Sequence, residues 1–263
     1  MFFKNTPLVF ASTLFALLSF NVQSTIVVIK TSLGPVEVNL FDNTTPETVA
    51  NFISYVDSGA YADNVVHRSV SGFIVQAGGF QYTGPITGSF ALDNVAAGPP
   101  VVNEPNFSNL RGTIAMAKLE NQANSATSGW FINLANNNAN LDTQNNGFTV
   151  FGQVTAEGMQ VMDAIANLSV FNAGGAFSNL PIRNYTQADV DNNLPITDEN
   201  LVVISDIEVT DRATDTAANL NPALNTLINS SGPNGDSGGG SINLLLLFCL
   251  IFLTKNRLIS KQC

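Results

Sequence analysis

Residues 65–80 read V-V-H-R-S-V-S-G-F-I-V-Q-A-G-G-F and place a cation (Arg68), an aromatic ring (Phe73), an amide (Gln76) and a closing glycine pair (Gly78, Gly79) within the length of one hairpin. If residues 65–69 and 72–77 are strands, side chains of equal parity share a face. Phe73, Val75 and Ala77 then point one way, and Ile74 and Gln76 the other. A turn at Ser71 and Gly72 brings the Arg68 guanidinium over the second strand. No nucleophile with its base is present. His67 is the single histidine of the chain, and a lone histidine builds neither a metal site nor a triad.

The elements that must hold this hairpin follow from the patterning on either side of it. Residues 25–30 are β-branched and apolar and residues 36–40 alternate strictly, so the two form a hairpin about Leu33-Gly34. Thr45-Pro46-Glu47 supplies a cap, a first-turn proline and a first-turn acid. Val49, Phe52, Ile53 and Val56 follow at helical spacing, and the helix ends at Gly59. Residues 81–109 are rich in glycine, proline and asparagine without a period and read as a long surface loop.

Three more strands are expected at residues 111–118, 128–134 and 148–154. In the first, Ile114 and Met116 alternate with Ala115 and Ala117. The asparagine-rich stretch 135–147 between the last two reads as loop. A second helix starts near Glu157 and repeats Val161, Met162, Ile165 and Leu168 on one face. Residues 170–200 are polar and irregular, and residues 201–210 form a final strand. The expected fold is mainly β, a closed eight-stranded antiparallel barrel capped by two helices.

Composition narrows the function classes. The 263 residues carry a net charge of -10, with 11% charged and 45% hydrophobic residues. Lys4, Lys255, Arg257 and Lys261 lie in the terminal segments, so the middle is more acidic than the total. It lacks the basic patch that a nucleic-acid partner needs. Asp189-x-Asp191-x-Asn193 has the spacing that opens a calcium loop, but Leu194 replaces its glycine and Asn200 its closing glutamate. No metal or cofactor is expected.

Both ends point to export. Residues 1–24 carry Lys4, an apolar run over 8–20 and a small residue, Ser24, in the layout of a secretory signal peptide. The alternative is an N-terminal anchor, although the run is shorter than the ~20 residues that span a bilayer. Cys249 and Cys263, the only cysteines, lie in the tail, so the core of the body must hold without a disulfide. Residues 211–241 read as a linker, Gly/Ser-rich over 231–241. In the 242–263 segment an apolar run over 244–253 precedes a basic end, which favours a cytoplasmic side for that end. The segment resembles the Gly-Gly sorting tails of some exported Gram-negative proteins, cleaved near the glycines. The alternative is a permanent single-span anchor.

The hairpin resembles the signature of the cyclophilins, peptidyl-prolyl cis-trans isomerases, whose pattern is F-H-R-V-x-x-G-F-x-x-Q-G-G. His67-Arg68, Gly72-Phe73 and Gln76 are in register, with Val66 in place of the usual Phe, and the pair Gly78-Gly79 follows after Ala77. Residues 111–118 (R-G-T-I-A-M-A-K) resemble the family's strand ending in Met-Ala. Residues 125–133 (S-A-T-S-G-W-F-I-N) resemble its S-A-T-S-Q-F-F-I-N, and Leu141-Asp142 with residues 148–152 its L-D and F-G blocks.

The resemblance implies Arg68 as the catalytic guanidinium and Phe73, Ile74, Phe131 and Leu141 as the apolar pocket for the proline ring. It implies Gln76 and the Ala117 backbone as peptide ligands, and Phe148 at the edge where eukaryotic members have His and bacterial ones Tyr. Two departures stand out. Gly129 replaces a Gln and removes a peptide hydrogen bond, and Asn140 stands where many members have Trp. The partners implied are proline-containing segments of exported proteins, bound by a monomer in the periplasm or at the surface of a Gram-negative bacterium. Its membrane contact would be through the tail alone. A non-catalytic proline-peptide binding or surface-display module, which keeps the barrel while the Gly129 departure costs it turnover, is the alternative.

Overall fold

The computed structural model describes residues 25–212 and 220–228. The signal-peptide expectation (1–24) and the Gly/Ser-rich and apolar tail segments (231–241, 242–263) lie outside the described residues.

Strands β1 (Ile26–Thr31) and β2 (Gly34–Leu40) form the expected hairpin, with Ile29 opposite Val36. Helix α1 (Pro46–Asp57) follows, then the short strands β3 (Asn64–Val65), β4 (Arg68–Val70), β5 (Ile74–Ala77), β6 (Phe80–Gln81) and β7 (Asp93–Asn94). β8 (Thr113–Met116) and β9 (Trp130–Asn133) precede helix α2 (Asn138–Leu141), β10 (Val150–Val154) and helix α3 (Ala156–Ala166). The chain continues through β11 (Ser169–Phe171), β12 (Leu180–Ile182), helix α4 (Gln187–Asp191) and β13 (Val203–Asp211).

The fold is mainly β with few helices, but the closed eight-stranded barrel is not what forms. One curled sheet of eleven strands runs β4-β5-β9-β8-β10-β2-β1-β13-β3-β6-β7, and β11 and β12 make a separate hairpin. The expected strand over 65–69 is broken at Val66 and His67. Its first part pairs with β13 and its second with β5, while Val66 N–H donates to Val202 and His67 N–H to Gln76. A strand that serves two neighbours at opposite ends of a curl cannot stay straight, and the count rises as it splits.

Alternation sorts the two faces as the pattern requires. Val27, Ile29, Val36, Val38, Ile114, Met116, Trp130 and Ile132 face the inside of the curl, where Phe52 of α1 and Met162 and Ile165 of α3 join one core. Ala115, Ala117 and Phe131, the residues between, face outward into a second cluster.

Other expectations need amendment. Thr45 precedes α1 but its side chain does not cap it, because its hydroxyl donates to the Phe41 carbonyl. The cap comes from far along the chain: a Glu104 carboxylate oxygen accepts from the N–H of Thr48 at 2.9 Å and from its hydroxyl at 2.7 Å. Such an anion suits a helix N-terminus. The stretch 135–147 is not loop throughout, since it holds α2 and a 3-10 turn at Gln144–Asn146. The calcium-like spacing falls on α4, where Asp189 closes a capping box by accepting from the N–H and hydroxyl of Thr186 at 2.7 Å each. Within the expected linker, residues 220–228 dock on the body. Ser108 N–H donates to Ala223 at 2.8 Å, Asn225 N–H to Asn106 at 2.9 Å, and the Asn225 amide to the Asp142 carbonyl at 3.0 Å.

Candidate active site

A line across five strands carries three of the predicted residues. Arg68 is opposite Gln76, Gln76 opposite Phe131, Phe131 opposite Ala115, and Ala115 opposite Val150. Directly paired residues of antiparallel strands project from the same face. Guanidinium, amide and aromatic ring therefore form one outward row, and Arg68 Nη1 donates to Gln76 Oε1 at 3.4 Å. The hairpin that starts the row depends on two glycines. Gly72 turns at φ 68°, and Gly78 at φ 86° leaves no room for a side chain, since a Cβ there would lie 2.4 Å from the Ser128 carbonyl.

Ile74, Ala117, Phe131, Leu141 and Phe148 lie in one apolar cluster beside this row, with Phe73 packed against it. All eight predicted residues are thus brought together. Phe73 arrives differently from the parity reading. It sits in the turn, its N–H donating to the Val70 carbonyl at 2.9 Å, so strand alternation does not govern it, and it joins the outer face with Ile74. Phe131 meets Phe148 edge to face at 5.7 Å. Ile74, Phe131, Leu141 and Phe148 are buried, and Phe73 is the half-exposed member. Leu220 of the docked segment packs against the same cluster.

The residues that hold the wall were not predicted as site residues. Asn109 and Asn133 are fully buried. The Asn109 amide donates to Asp142 Oδ1 at 3.0 Å and to the Phe148 carbonyl at 3.1 Å, and the Asn137 amide donates to Asn133 Oδ1 at 2.7 Å. This network ties the segment carrying Leu141 and Phe148 to the sheet. The available signal was asparagine recurring at 133, 136, 137 and 138, a residue type costly to bury without partners.

Lys118 completes the wall. Its Nζ donates to the carbonyls of Asn145 at 2.8 Å and Gly147 at 2.6 Å and lies 4.8 Å from the Phe148 ring centre. Burial lowers its pKa to about 8. His67 faces the other way and packs edge-on against Phe80 at 4.8 Å. Burial, aided by the Arg68 charge and opposed by a hydrogen bond at Val65, lowers its pKa to about 3, so it stays neutral and structural.

The site sets a positive donor beside an apolar cluster whose half-exposed member is Phe73. Comparison with known proteins bears on what that arrangement is for. The chain is 42% identical over 162 residues to peptidyl-prolyl cis-trans isomerase A of Dickeya dadantii, covering 60% of this chain and 79% of the relative. It is 34% identical over 150 residues to peptidyl-prolyl cis-trans isomerase B of Escherichia coli, covering 55% of this chain and 85% of the relative. A solved cyclophilin-type isomerase of Cryptosporidium parvum, crystallised in the presence of the dipeptide Ala-Pro, shares the fold with a TM-score of 0.51 and 21% identity, over 71% of this chain and 99% of that one. The model of the family described as cyclophilin type peptidyl-prolyl cis-trans isomerase/CLD matches residues 26–187, more than half of the chain, and this protein therefore belongs to that family.

Proposed function

We propose that the protein is an exported peptidyl-prolyl cis-trans isomerase in which Arg68 is the catalytic group, and that it assists the folding of periplasmic or surface proteins. The observation that carries this reading is the row Arg68, Gln76, Phe131 beside the Phe73 edge of the apolar cluster. Rotation about an X-Pro bond faces a barrier of ~18 to 20 kcal/mol because resonance stiffens the C–N bond. A guanidinium near the proline nitrogen donates to its lone pair as that nitrogen pyramidalises, an interaction made only in the twisted state.

Phe73, Ile74, Phe131, Leu141 and Phe148 clamp the ring, and the Gln76 amide, already facing Arg68, holds the peptide together with the Ala117 backbone. No bond is made or broken, and a thousandfold gain needs only ~4 kcal/mol. A protease-coupled proline-peptide assay tests this: turnover by the protein and its loss in Arg68→Ala are expected. Turnover that survives the substitution removes Arg68 from the mechanism.

The export reading rests on the composition of the two ends, with a mature N-terminus near residue 25 and processing near Gly238-Gly239-Gly240. Mass spectrometry of the mature protein checks both, and intact ends at 1 and 263 would contradict it.

A further inference from the structure

Beyond Phe131 the outward face leads into a hollow of about 460 Å³ at the edge of the site. Its near wall is the pair Ala117 and Gly129, joined by the Ala117 N–H donating to Gly129 O at 2.9 Å. The side chain missing at 129 leaves this mouth open, since a Cβ there would meet only Ala117 Cβ at 3.4 Å and the Ala77 carbonyl at 4.0 Å. Phe80 and Asn94 are shared with a second hollow of about 380 Å³, and that one shares Phe90 and Ala173 with a third of about 300 Å³. The third is bordered by Leu194, 49% exposed.

The two outer hollows are built by residues of 80–94 and 171–196, which meet at the bridge between Ile86 and Ile196. The rings of Phe80, Phe177 and Phe90 stand edge to face at 4.7 and 5.0 Å along the way. Among the described residues lining the three hollows, Lys118 alone is charged, and its amine is turned to the carbonyls of Asn145 and Gly147. An acidic chain has thus kept one furrow nearly free of charge.

We propose that the second and third hollows extend the peptide site, binding the apolar flank of an extended proline-containing polypeptide several residues from its proline. This rests on the proline site proposed above, with which the first hollow is continuous at Ala117. Extended chain presents every second side chain to one side, which suits a series of separate hollows. Burying even one large apolar side chain raises affinity by an order of magnitude, about tenfold. The occupant is therefore an unfolded, uncharged, aromatic- or leucine-rich segment.

The test compares a proline tetrapeptide with decapeptides of equal charge carrying Phe and Leu at alternate positions, on the N-terminal side of the proline in one and on the C-terminal side in the other. At least one decapeptide should have kcat/KM about tenfold above the tetrapeptide. Ala173→Trp, which plugs the junction of the outer hollows, and Leu194→Glu, which charges the exposed rim, should each reduce that ratio at least threefold. Fluorescence anisotropy of the labelled decapeptide should show the same order of affinities. If neither decapeptide outperforms the tetrapeptide, or the advantage survives both substitutions, the furrow is not a peptide site. Tetrapeptide turnover reports on the isomerase reading alone, and anisotropy decides the furrow even where turnover is absent.

Discussion

The row from β4 to β10 and the satellite over β3 and β6 are held by different means. In the first, neighbours are fixed by strand register, so position in the chain dictates position in space. In the second, Leu180, Ile182, Ile196 and Leu201 pack with Val65 under loops and a two-stranded hairpin, with the contacting residues more than a hundred positions apart. A repeating backbone ladder suits a site that needs geometry within fractions of an ångström, whereas irregular packing suits a surface that can vary without disturbing that geometry.

If the regions are separable, damage to one should leave the other's readout intact. The largest effect is expected from Arg68→Ala, a hundred- to thousandfold loss of kcat/KM in the proline-peptide assay, on the scale of removing one transition-state donor. In the satellite, Leu201→Ala, at a fully buried position, should cost about 3 kcal/mol by urea unfolding while kcat/KM changes less than twofold. A loss of activity comparable to that of Arg68→Ala would erase the distinction.

Asn109→Ala sharpens it from the other side, because the amide belongs to the wall of the site. It should cost about 2 kcal/mol in the same unfolding experiment and also raise KM severalfold as Phe148 loosens. A further effect, read as a pH profile, concerns His67 at the boundary of the two regions. The native state keeps it neutral down to about pH 3, whereas the unfolded chain takes up a proton near pH 6.5. Between these values the unfolded state binds more protons, so stability falls as pH drops through the window, by up to about 1.4 kcal/mol per unit from this residue. His67→Gln should flatten that part of the stability profile.

The hairpin part of the row, Arg68 with Gln76, was legible from period-two alternation, whereas Phe131 was placed by the family resemblance alone. Phe73 was assigned to the wrong face because a turn residue escapes the alternation that governs its neighbours. The split of the strand at Val66 and His67 was hidden, because its cause is the demand of two partners, one of them β13 at the far end of the chain. The Glu104 cap on α1 and the Asn109 network were equally out of reach, since each joins residues that no local pattern links. Residues 81–109 and 170–200 read as irregular, and irregular segments reveal their packing only once something across the molecule meets them, as Ile86 meets Ile196.

The pairing of β13 with both β1 and β3 has a consequence for the order in which the molecule matures. A ribosome delivers every strand of the row, from residue 68 to residue 154, well before residues 203–211 appear. Until that last strand emerges, β1 and β3 present raw edges that could zip onto another nascent chain. The newborn protein thus stays open at its seam until residues 203–211 have emerged.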